Sequence, residues 1–318
     1  MTPAAGDIWA VVILYRPDPE GARAQYAALA PQVAGIVYVD NGDGRDVLER
    51  LELLSQEGVR CAGDGQNVGI AEGLNRGVAR AREAGAAFVL LLDQDSVPAA
   101  DMVARLSTTF ELARAQLGSI GAVGAVGPAI FDELHGKLEP FGHAVSPQGK
   151  QPPAEPAALD APVEVNYLIT SGTLIPAAVL DAVGPMESDL FIDAVDFEWS
   201  FRARARGFHV FGTYGARLHH KRGHGLHRIP ILGATIRLHA PVRHFYIFRN
   251  HLRLCFRSYM PLRWKLLGLW YLVERTTLFG LFVPGRAAHL SAMARGSWQG
   301  VRQGWADDAA TRSGSPPR

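Results

Sequence analysis

The sequence is poor in cysteine, and it lacks the segment that would mark an exported protein. Only Cys61 and Cys255 occur in 318 residues, and their spacing matches neither a disulfide framework nor a metal site. Such sparing use of thiols fits a reducing compartment. The first residues lack the basic and apolar regions of a signal peptide. We therefore expect a cytoplasmic protein whose two cysteines are inert packing residues.

An excess of charge of one sign is also lacking. The 32 Lys and Arg side chains balance 31 Asp and Glu side chains, so the net charge of +1 gives no reason to expect a nucleic-acid partner. Internal repeats are absent, as are the P-loop and the dinucleotide-binding glycine fingerprint. Hydrophobic residues make up 48% of the chain, which is enough for an ample core.

Several apolar runs end abruptly in polar residues. The run from Ala86 to Leu92 stops at Asp93-Gln94-Asp95-Ser96, and earlier runs stop at Tyr15 and at Asp40. Continuous apolar runs of this length are typical of strands buried on both faces. Because helical patterns separate these runs, the sequence predicts a doubly wound α/β fold with a parallel sheet. Ligands of such folds bind beyond the carboxyl ends of the strands.

The acids at the strand ends have two interpretations. Asp93 and Asp95 offer hard oxygen ligands to Mg²⁺ or Mn²⁺, and through the ion to a nucleotide diphosphate. Alternatively, Asp95 and Ser96 cap the helix that starts after Pro98. Asp40, before Asn41-Gly42, either belongs to a simple turn or accepts a hydrogen bond from a nucleobase.

A glycine-containing segment from Asn67 to Gly77 opens the third predicted helix. Glycines there allow the backbone to approach a ligand closely, and a helix N-terminus favours a phosphate group. The segment is therefore a second candidate for nucleotide binding.

A second acidic cluster lies at Asp193-Ala194-Val195-Asp196, at the start of a helix predicted over Asp193 to Gly207. Asp193 and Asp196 would lie one turn apart on the same face. Acids are common in a first helical turn because of the macrodipole. A carboxylate shielded by Phe191 and Trp199, however, also suits a general base.

A histidine pair and a basic, aromatic region follow. His219 or His220 could complete a divalent-metal site, although such a pair is also common as an incidental surface feature. Arginines and aromatics interleave from Arg243 to Trp264 without a nucleic-acid motif, which favours a membrane surface. Leu266 to Pro284 is strongly apolar, but Glu274-Arg275 in its middle argues against a spanning helix. We expect this helix to lie on the inner leaflet, with packing on protein or a dimer contact as the alternative.

The order of these motifs resembles that of family 2 glycosyltransferases of the GT-A fold. The features near Phe191 to Trp199, with Arg202, Arg204 and His220, resemble the bacterial rhamnosyltransferase branch, as does the segment from Phe245 to Asn250. The resemblance covers about Val11 to Pro261. It implies a mostly parallel central sheet flanked by helices. The catalytic domain would span residues 1–235, a helical, membrane-associating extension 236–306 and a disordered tail 307–318.

The resemblance also implies an activity and its residues. The enzyme would be inverting and metal-dependent, using Mg²⁺ or Mn²⁺ to transfer L-rhamnose from dTDP-L-rhamnose to a saccharide or lipid-linked acceptor in surface polysaccharide synthesis. Asp196 would be the base, with Asp193 as the alternative because Val195 stands where many relatives carry Glu. The metal would be held by Asp95, Asp93 and His220, or His219 in its place. The donor would be bound by Asp40, Asn67, Gly69, Asn75, Asp93 and Arg202.

Three alternatives remain open from the sequence. The donor could be another nucleotide sugar, because selectivity depends on the shape of a pocket. The chain could instead be a non-catalytic subunit that binds a sugar nucleotide or associates with the membrane. It could also form a homodimer.

Overall fold

The computed structural model describes residues 2–118, 121–132, 136–155, 158–220, 226–229 and 234–312. The chain divides into two compact units. The first, here called the sheet unit, comprises Met1–Asp189 and Val195–Arg222. The second, here called the helical unit, comprises Leu190–Ala194 and Gly223–Arg318.

The sheet unit is built on one mixed sheet. Its strands are β1 (Ile8–Leu14), β2 (Gly35–Asp40), β3 (Val59–Ala62), β4 (Phe88–Asp93), β5 (Ser96–Pro98), β6 (Ala122–Asp132), β7 (Lys137–Leu138), β8 (Val163–Glu164), β9 (Thr173–Pro176) and β10 (Phe208–His220). The strand order is β3-β2-β1-β4-β9-β6-β10-β5, with β7 on β6 and β8 on β10. The strands β3, β2, β1 and β4 are mutually parallel, as predicted. Strand β9 runs antiparallel to both β4 and β6, whereas β6 and β10 are parallel to each other.

Six α-helices lie in the described residues of the sheet unit. They are α1 (Pro19–Leu29), α2 (Gly44–Arg50), α3 (Gly69–Glu83), α4 (Met102–Leu117), α5 (Ala177–Val183) and α6 (Val195–Ala205). Helix α1 begins where Asp18 accepts a hydrogen bond from Gly21 N and Pro19 occupies the first turn. All seven residues of β1 are buried, which explains why the strand reads as an uninterrupted apolar run.

Helix α3 packs closely on this parallel part of the sheet. A Cβ atom at Gly77 would overlap the side chains of Val11 on β1 and Val39 on β2. A glycine at this position therefore lets the helix backbone approach the sheet, and it fixes the distance between the two layers.

The described part of the helical unit contains a small hairpin and three α-helices. Strands β11 (Leu226–Ile229) and β12 (Ala234–Arg237) are antiparallel. The helices are α7 (Pro241–Leu254), α8 (Leu262–Phe282) and α9 (Arg286–Arg312), around a core that includes Phe248, Phe279 and Met293. None of the helices in the described residues combines the length and the apolar character needed to cross a bilayer.

Helices α7 and α9 approach each other closely along a line of glycines. Cβ atoms at Gly296 and Gly300 would overlap the carbonyl oxygens of Phe245 and Arg249 on α7. Helix α9 continues through Asp307, which forms a buried ion pair with Arg253 at 2.7 Å, and ends at Arg312. Residues 307–312, expected in a disordered tail, are thus helical, whereas 313–318 lie outside the described residues.

Candidate active site

The carboxyl edge of the parallel strands brings the predicted strand-end acids together. On β1, Leu14 pairs with Asp40 of β2 on one side, and Ile13 pairs with Asp93 of β4 on the other. Two acids that are 53 residues apart in sequence therefore flank the same strand end, because parallel strands share one carboxyl edge.

Asp40 is buried and held by the loops around it. Its Oδ1 accepts hydrogen bonds from Gly42 N at 3.1 Å and Gly44 N at 2.8 Å. The chain after β3 crosses it, with Gly65 N donating to the Asp40 carbonyl oxygen at 3.2 Å. Gly63 and Gly65 have φ angles of 83° and 79°, and a Cβ at Gly63 would overlap the Asp40 backbone. The turn and the binding role proposed for Asp40 are therefore compatible.

Two asparagines fix the start of α3 beside this edge. Asn41 Oδ1 accepts a hydrogen bond from Val68 N at 2.8 Å. Asn67 Oδ1 accepts from Gly69 N at 3.1 Å and from Asn41 Nδ2 at 3.3 Å. The predicted helix start at Asn67 to Gly69 is thereby tied to the end of β2.

Asn75, six residues after Gly69 on α3, is bonded to a different segment. Its amide donates to the Met186 carbonyl at 2.9 Å and to Ser188 Oγ at 3.1 Å, and it accepts from Met186 N at 2.9 Å. The same segment lowers the pKa of Glu72, chiefly because Ser188 donates a hydrogen bond to its carboxylate. Asn75 thus positions the loop that contains residues 186–188.

The turn that carries Asp93 and Asp95 is braced by glutamines. Gln94 exchanges two hydrogen bonds with the backbone of Tyr15 at the end of β1, at 2.7 and 3.0 Å. The fully buried Gln25 of α1 donates from Nε2 to the carbonyl oxygens of Asp93 and Ser96, both at 2.7 Å. These bonds fix the backbone on both sides of Gln94.

A serine pair supports the same turn from β9's side of the sheet. Asp93 N donates to Ser171 Oγ at 3.0 Å, and the Ser171 hydroxyl donates to Ser96 Oγ at 2.7 Å. On this braced backbone, Asp93 is half-buried and Asp95 is exposed to solvent. The arrangement presents an acidic side chain to solvent from a rigid strand end.

The two histidines lie on the strand next to this turn. Strand β10 pairs antiparallel with β5, and the register places His220 opposite Ser96 and His219 opposite Val97. The His220 side chain lies outside the described residues. The His219 ring is half-buried and packs edge-on against Phe131, with the centroids 5.3 Å apart.

The chemistry of these side chains fits a hard divalent cation. Carboxylate oxygens are the ligands that Mg²⁺ and Mn²⁺ prefer, and Asp93 and Asp95 supply them from one strand end. Within the described residues, no group of three His, Cys, Asp or Glu side chains forms a metal cluster. Two protein carboxylates leave coordination positions for phosphate oxygens and water, as is usual for Mg²⁺ at phosphate sites.

The start of α6 places Asp196 in aromatic surroundings. Asp196 is half-buried, and its Oδ1 accepts from Phe197 N at 2.9 Å. Tyr167 packs edge-on against Phe197 at 4.3 Å and stacks on His143 at 4.2 Å. Burial, and then the negative charge of Asp196, raise the pKa of Tyr167 to about 12. Burial likewise lowers the pKa of His143 to about 4, so both rings are neutral at pH 7.

The aromatic neighbours differ from those expected. Trp199 is buried, and its indole Nε1 donates to the Gly184 carbonyl at 3.1 Å. The ring of Phe191 stacks on Tyr246 in the helical unit. Tyr167 and Phe197, which the sequence did not single out, contribute the ring contacts beside Asp196.

Arg202 anchors α6 to the chain after α5. Its guanidinium forms a two-armed ion pair with the buried Glu198, at 2.6 and 2.9 Å. It also donates to the carbonyls of Val183 at 2.6 Å and Pro185 at 2.7 Å. These contacts hold the helix that carries Asp196, while binding of a donor by Arg202 stays a prediction.

The predicted start of this helix was wrong. Helix α6 begins at Val195, and Asp193 precedes it with a left-handed φ of 64°. Asp193 and Asp196 therefore do not share a helical face. In the helical unit, Arg243 donates to both oxygens of the Asp193 carboxylate, at 3.0 Å from Nη2 and 3.1 Å from Nε.

Known proteins share the fold of this chain and part of its sequence. No protein-family model matches the chain. The dTDP-rhamnosyl transferase RfbF of Shigella flexneri is 26% identical over 296 residues, which cover 93% of this chain and 96% of that protein.

Two solved structures share the fold at 12% identity. TarS of S. aureus, residues 1–349, in complex with UDP-GlcNAc has a TM-score of 0.53 over 98% of this chain and 93% of that chain. GalNAc-T7 with UDP, GalNAc and Mn²⁺ has a TM-score of 0.54 over 87% of this chain and 58% of that chain.

The chain is thus a glycosyltransferase with the GT-A fold, as the motifs predicted. Its resemblance to the bacterial rhamnosyltransferase branch is confirmed by the match to RfbF along nearly its whole length.

Several site residues escaped the sequence analysis. Gly63 and Gly65 follow a strand, which is a usable signal, but the pair lacks the third glycine of the dinucleotide-binding fingerprint. Gln94 lies inside the acidic motif and could have been noticed for that reason. Gln25 and Ser171 carry no local signal, because their roles depend on segments that are 68 or more residues away from the contacts they make.

Proposed function

We propose that this glycosyltransferase transfers L-rhamnose from dTDP-L-rhamnose, with inversion, to a saccharide or lipid-linked acceptor of surface polysaccharide synthesis. The observation that carries the proposal is the braced edge at which Asp40 and Asp93 flank the end of β1. The similarity to a dTDP-rhamnosyl transferase along 93% of the chain supports the choice of donor.

In this proposal, the donor lies along the carboxyl edge of the parallel strands. Asp40 accepts a hydrogen bond from an N–H of the base through Oδ2, because its Oδ1 already accepts from Gly42 N and Gly44 N. Asn67 and Gly69 form the start of α3, whose N-terminal end favours the negative diphosphate. Asn75 and Arg202 complete the set by fixing α3 and α6 around the donor.

Asp95 and Asp93 are proposed to hold a Mg²⁺ or Mn²⁺ ion together with His220, or with His219 in its place. When bound, the ion supplies neutralisation of the charge that develops on the leaving diphosphate. The Mn²⁺ and UDP in the GalNAc-T7 structure support a divalent ion in this fold. Gln25, Gln94 and Ser171 keep the two carboxylates in place before the ion arrives.

Asp196 is proposed as the base that takes the proton from the acceptor hydroxyl. One base and one displacement at the anomeric carbon give inversion, so a β-linked donor yields an α-rhamnoside. The neutral Tyr167 beside it provides partial shielding from water without a competing charge. Asp193 is the weaker candidate, because Arg243 engages both of its oxygens.

Replacement of Asp196 by Asn should separate chemistry from binding. General-base catalysis typically contributes about 10²- to 10⁴-fold, so we expect kcat to fall by that range. The donor dissociation constant should not change. Transfer at the wild-type rate by the Asn variant would show that Asp196 is not the base.

Calorimetry tests the donor directly. The full chain is titrated with dTDP-rhamnose, UDP-glucose, UDP-galactose and GDP-mannose, with and without Mn²⁺. We expect metal-dependent preference for dTDP-rhamnose. Preference for another nucleotide sugar would retain the fold and reject rhamnose, whereas no binding of any donor by folded protein would favour a non-catalytic role.

Another nucleotide sugar is the second candidate donor. The two structural neighbours were solved with UDP-GlcNAc and with UDP and GalNAc, so the fold accommodates different sugars. UDP-GlcNAc and UDP-GalNAc therefore belong in the same titration series.

Contact with the inner face of the plasma membrane is also proposed, on the exposed faces of α8 and α9. In α8, the apolar side chains of Leu262, Leu266, Trp270 and Val273 are exposed at three- or four-residue spacing, and Leu267, Leu269 and Leu281 are exposed as well. In α9, Trp298 and Trp305 are exposed, and no Asp or Glu occurs between Arg275 and Trp305. Tryptophan with arginine suits the headgroup region of an anionic bilayer.

Vesicle flotation tests this contact. We expect binding to vesicles containing phosphatidylglycerol, weaker binding to pure phosphatidylcholine, and loss of binding on simultaneous Trp270→Ser and Trp298→Ser substitution. A wild-type protein that ignores both vesicles and sediments as a homodimer, with the double variant monomeric, would assign these faces to self-association instead.

A further inference from the structure

A short strained segment precedes α6. Phe191, Asp193 and Ala194 have left-handed φ angles of 61°, 64° and 66°, although none of them is glycine. Such conformations are unfavourable for residues with a Cβ, and they persist where surrounding contacts over-determine the backbone. The contacts that hold residues 190–194 therefore require an explanation.

The side chain of Asn250 on α7 makes most of these contacts. Its Nδ2 lies 2.9 Å from the Leu190 carbonyl oxygen, 2.8 Å from that of Ile192 and 2.8 Å from that of Asp193. Asn250 is completely buried. The two N–H groups of one amide are thus shared among three carbonyl oxygens of the strained segment, and neither an alkyl nor a carboxylate side chain could donate to them.

Other residues of α7 also contact the segment from Leu190 to Asp193. Arg249 orients the amide by donating from Nε to Asn250 Oδ1 at 2.9 Å, and from Nη2 to the Leu190 carbonyl at 2.9 Å. Tyr246 stacks on Phe191 with the centroids 4.7 Å apart, and Arg243 binds the Asp193 carboxylate. Residues 243, 246 and 250 follow at spacings of three and four, so one helical face makes these contacts.

The polypeptide passes from this segment directly into α6, whose second residue is Asp196. The direction in which α6 starts depends on the ψ and φ angles of the residues immediately before it. Because Arg202 anchors the rest of α6, a change at residues 193 and 194 would act mainly on the first turn of the helix, which contains Asp196.

We propose that Asn250, supported by Arg249 and Arg243, is a positioning residue that fixes the start of α6 and hence the Asp196 carboxylate. This inference rests on the proposed role of Asp196 as the base.

Asn250→Asp in the full chain is the sharpest test, because it retains the shape and replaces the donating amide by an acceptor. An acidic group cannot donate to three carbonyl oxygens, so the segment should relax. Hydrogen–deuterium exchange should accelerate in peptides covering residues 190–197. A displacement of about 1 Å can cost about 10²-fold in rate, so we expect kcat to fall by that order while donor affinity stays unchanged.

Asp307→Asn is the matched control. It weakens the buried ion pairs that Asp307 forms with Arg253 at 2.7 Å and with Arg257 at 3.0 Å, and both partners lie outside residues 190–194. The melting temperature should fall, yet exchange in residues 190–197 and kcat should stay at wild-type values. Arg243→Gln is a milder second variant, because the Arg243 side chain is 43% exposed; it should act like Asn250→Asp with a smaller effect and should fold.

Three results would overturn the proposal. The first is unchanged exchange and kcat in both Asn250→Asp and Arg243→Gln. The second is a loss of kcat in Asp307→Asn that bears the same relation to its fall in melting temperature as the losses in Asn250→Asp and Arg243→Gln do. The third is a parallel loss of donor affinity. If the wild-type protein transfers no sugar, the proposed function fails, and the exchange measurement still decides whether Asn250 fixes this segment.

Discussion

Replacement of Gln25 by Met tests whether Gln25 holds the turn that carries Asp93 and Asp95 in place. Methionine is similar in length but cannot donate to the carbonyl oxygens of Asp93 and Ser96, each 2.7 Å from Nε2. Each lost hydrogen bond costs about 1 kcal/mol, and a carbonyl left buried costs more. Removal of the buried Oε1, which has no hydrogen-bond partner among the described residues, offsets part of this cost. We expect the free energy of unfolding to fall by about 2 kcal/mol.

The same substitution should weaken metal-dependent donor binding. If reordering the turn on binding costs about as much as one hydrogen bond, roughly 1 to 1.5 kcal/mol, the apparent affinity falls about tenfold. The assays are urea unfolding, and titration of the nucleotide sugar at saturating and limiting Mn²⁺. The loss should be larger at limiting Mn²⁺, because the carboxylates of Asp93 and Asp95 are the groups displaced.

Gln32→Met is the matched control. Gln32 is buried, donates to the carbonyls of Ala28 at 2.8 Å and Ala99 at 3.0 Å, and accepts from Val103 N at 3.1 Å. It should lose similar stability without a change in Mn²⁺ dependence. Equal Mn²⁺ dependence in the two variants, or no stability loss for Gln25→Met, would refute the reasoning.

Two further predictions concern packing and pH. Gly300→Ala should destabilise the protein by about 1–3 kcal/mol in urea unfolding, because the new Cβ overlaps the Arg249 carbonyl oxygen. Gly280→Ala is its control: the new Cβ would lie 3.7 Å from its nearest neighbour, so this variant should be neutral or stabilising. An equal loss in both would contradict the packing argument. Burial lowers the pKa of His143 from 6.5 in the unfolded chain to about 4. Between pH 6.5 and pH 4, only the unfolded state binds this proton, so the free energy of unfolding falls as the pH drops. His143→Phe, which keeps a ring against Tyr167, should remove about 2 kcal/mol of the decrease in unfolding free energy between pH 7 and pH 5; an unaltered pH profile would contradict this.

The sequence by itself determined the parallel half of the sheet and the edge at which the acids lie. Apolar runs that end in Asp40 and Asp93 specify strands buried on both faces, and the helices between them require parallel crossovers. The shared carboxyl edge then follows from topology. The strands follow from local apolar patterns, and the shared edge follows from the rule that parallel strands end on the same side of a sheet. Neither inference requires knowledge of a tertiary contact.

The tertiary structure decided how that edge is held and what surrounds Asp196. Gln25, Ser171 and Tyr167 act on backbone or rings that are distant in sequence, and nothing in their local sequence marks them. The segment from Phe245 to Asn250 carries part of the family resemblance, but the contacts of Asn250 with residues 190–193 appear only in the tertiary structure. Asp193 shows the same limit: its sequence reads as a first helical turn, yet hydrogen bonds from Asn250 stabilise a left-handed backbone there. Local propensity is weak compared with several buried hydrogen bonds, so the tertiary contacts prevail.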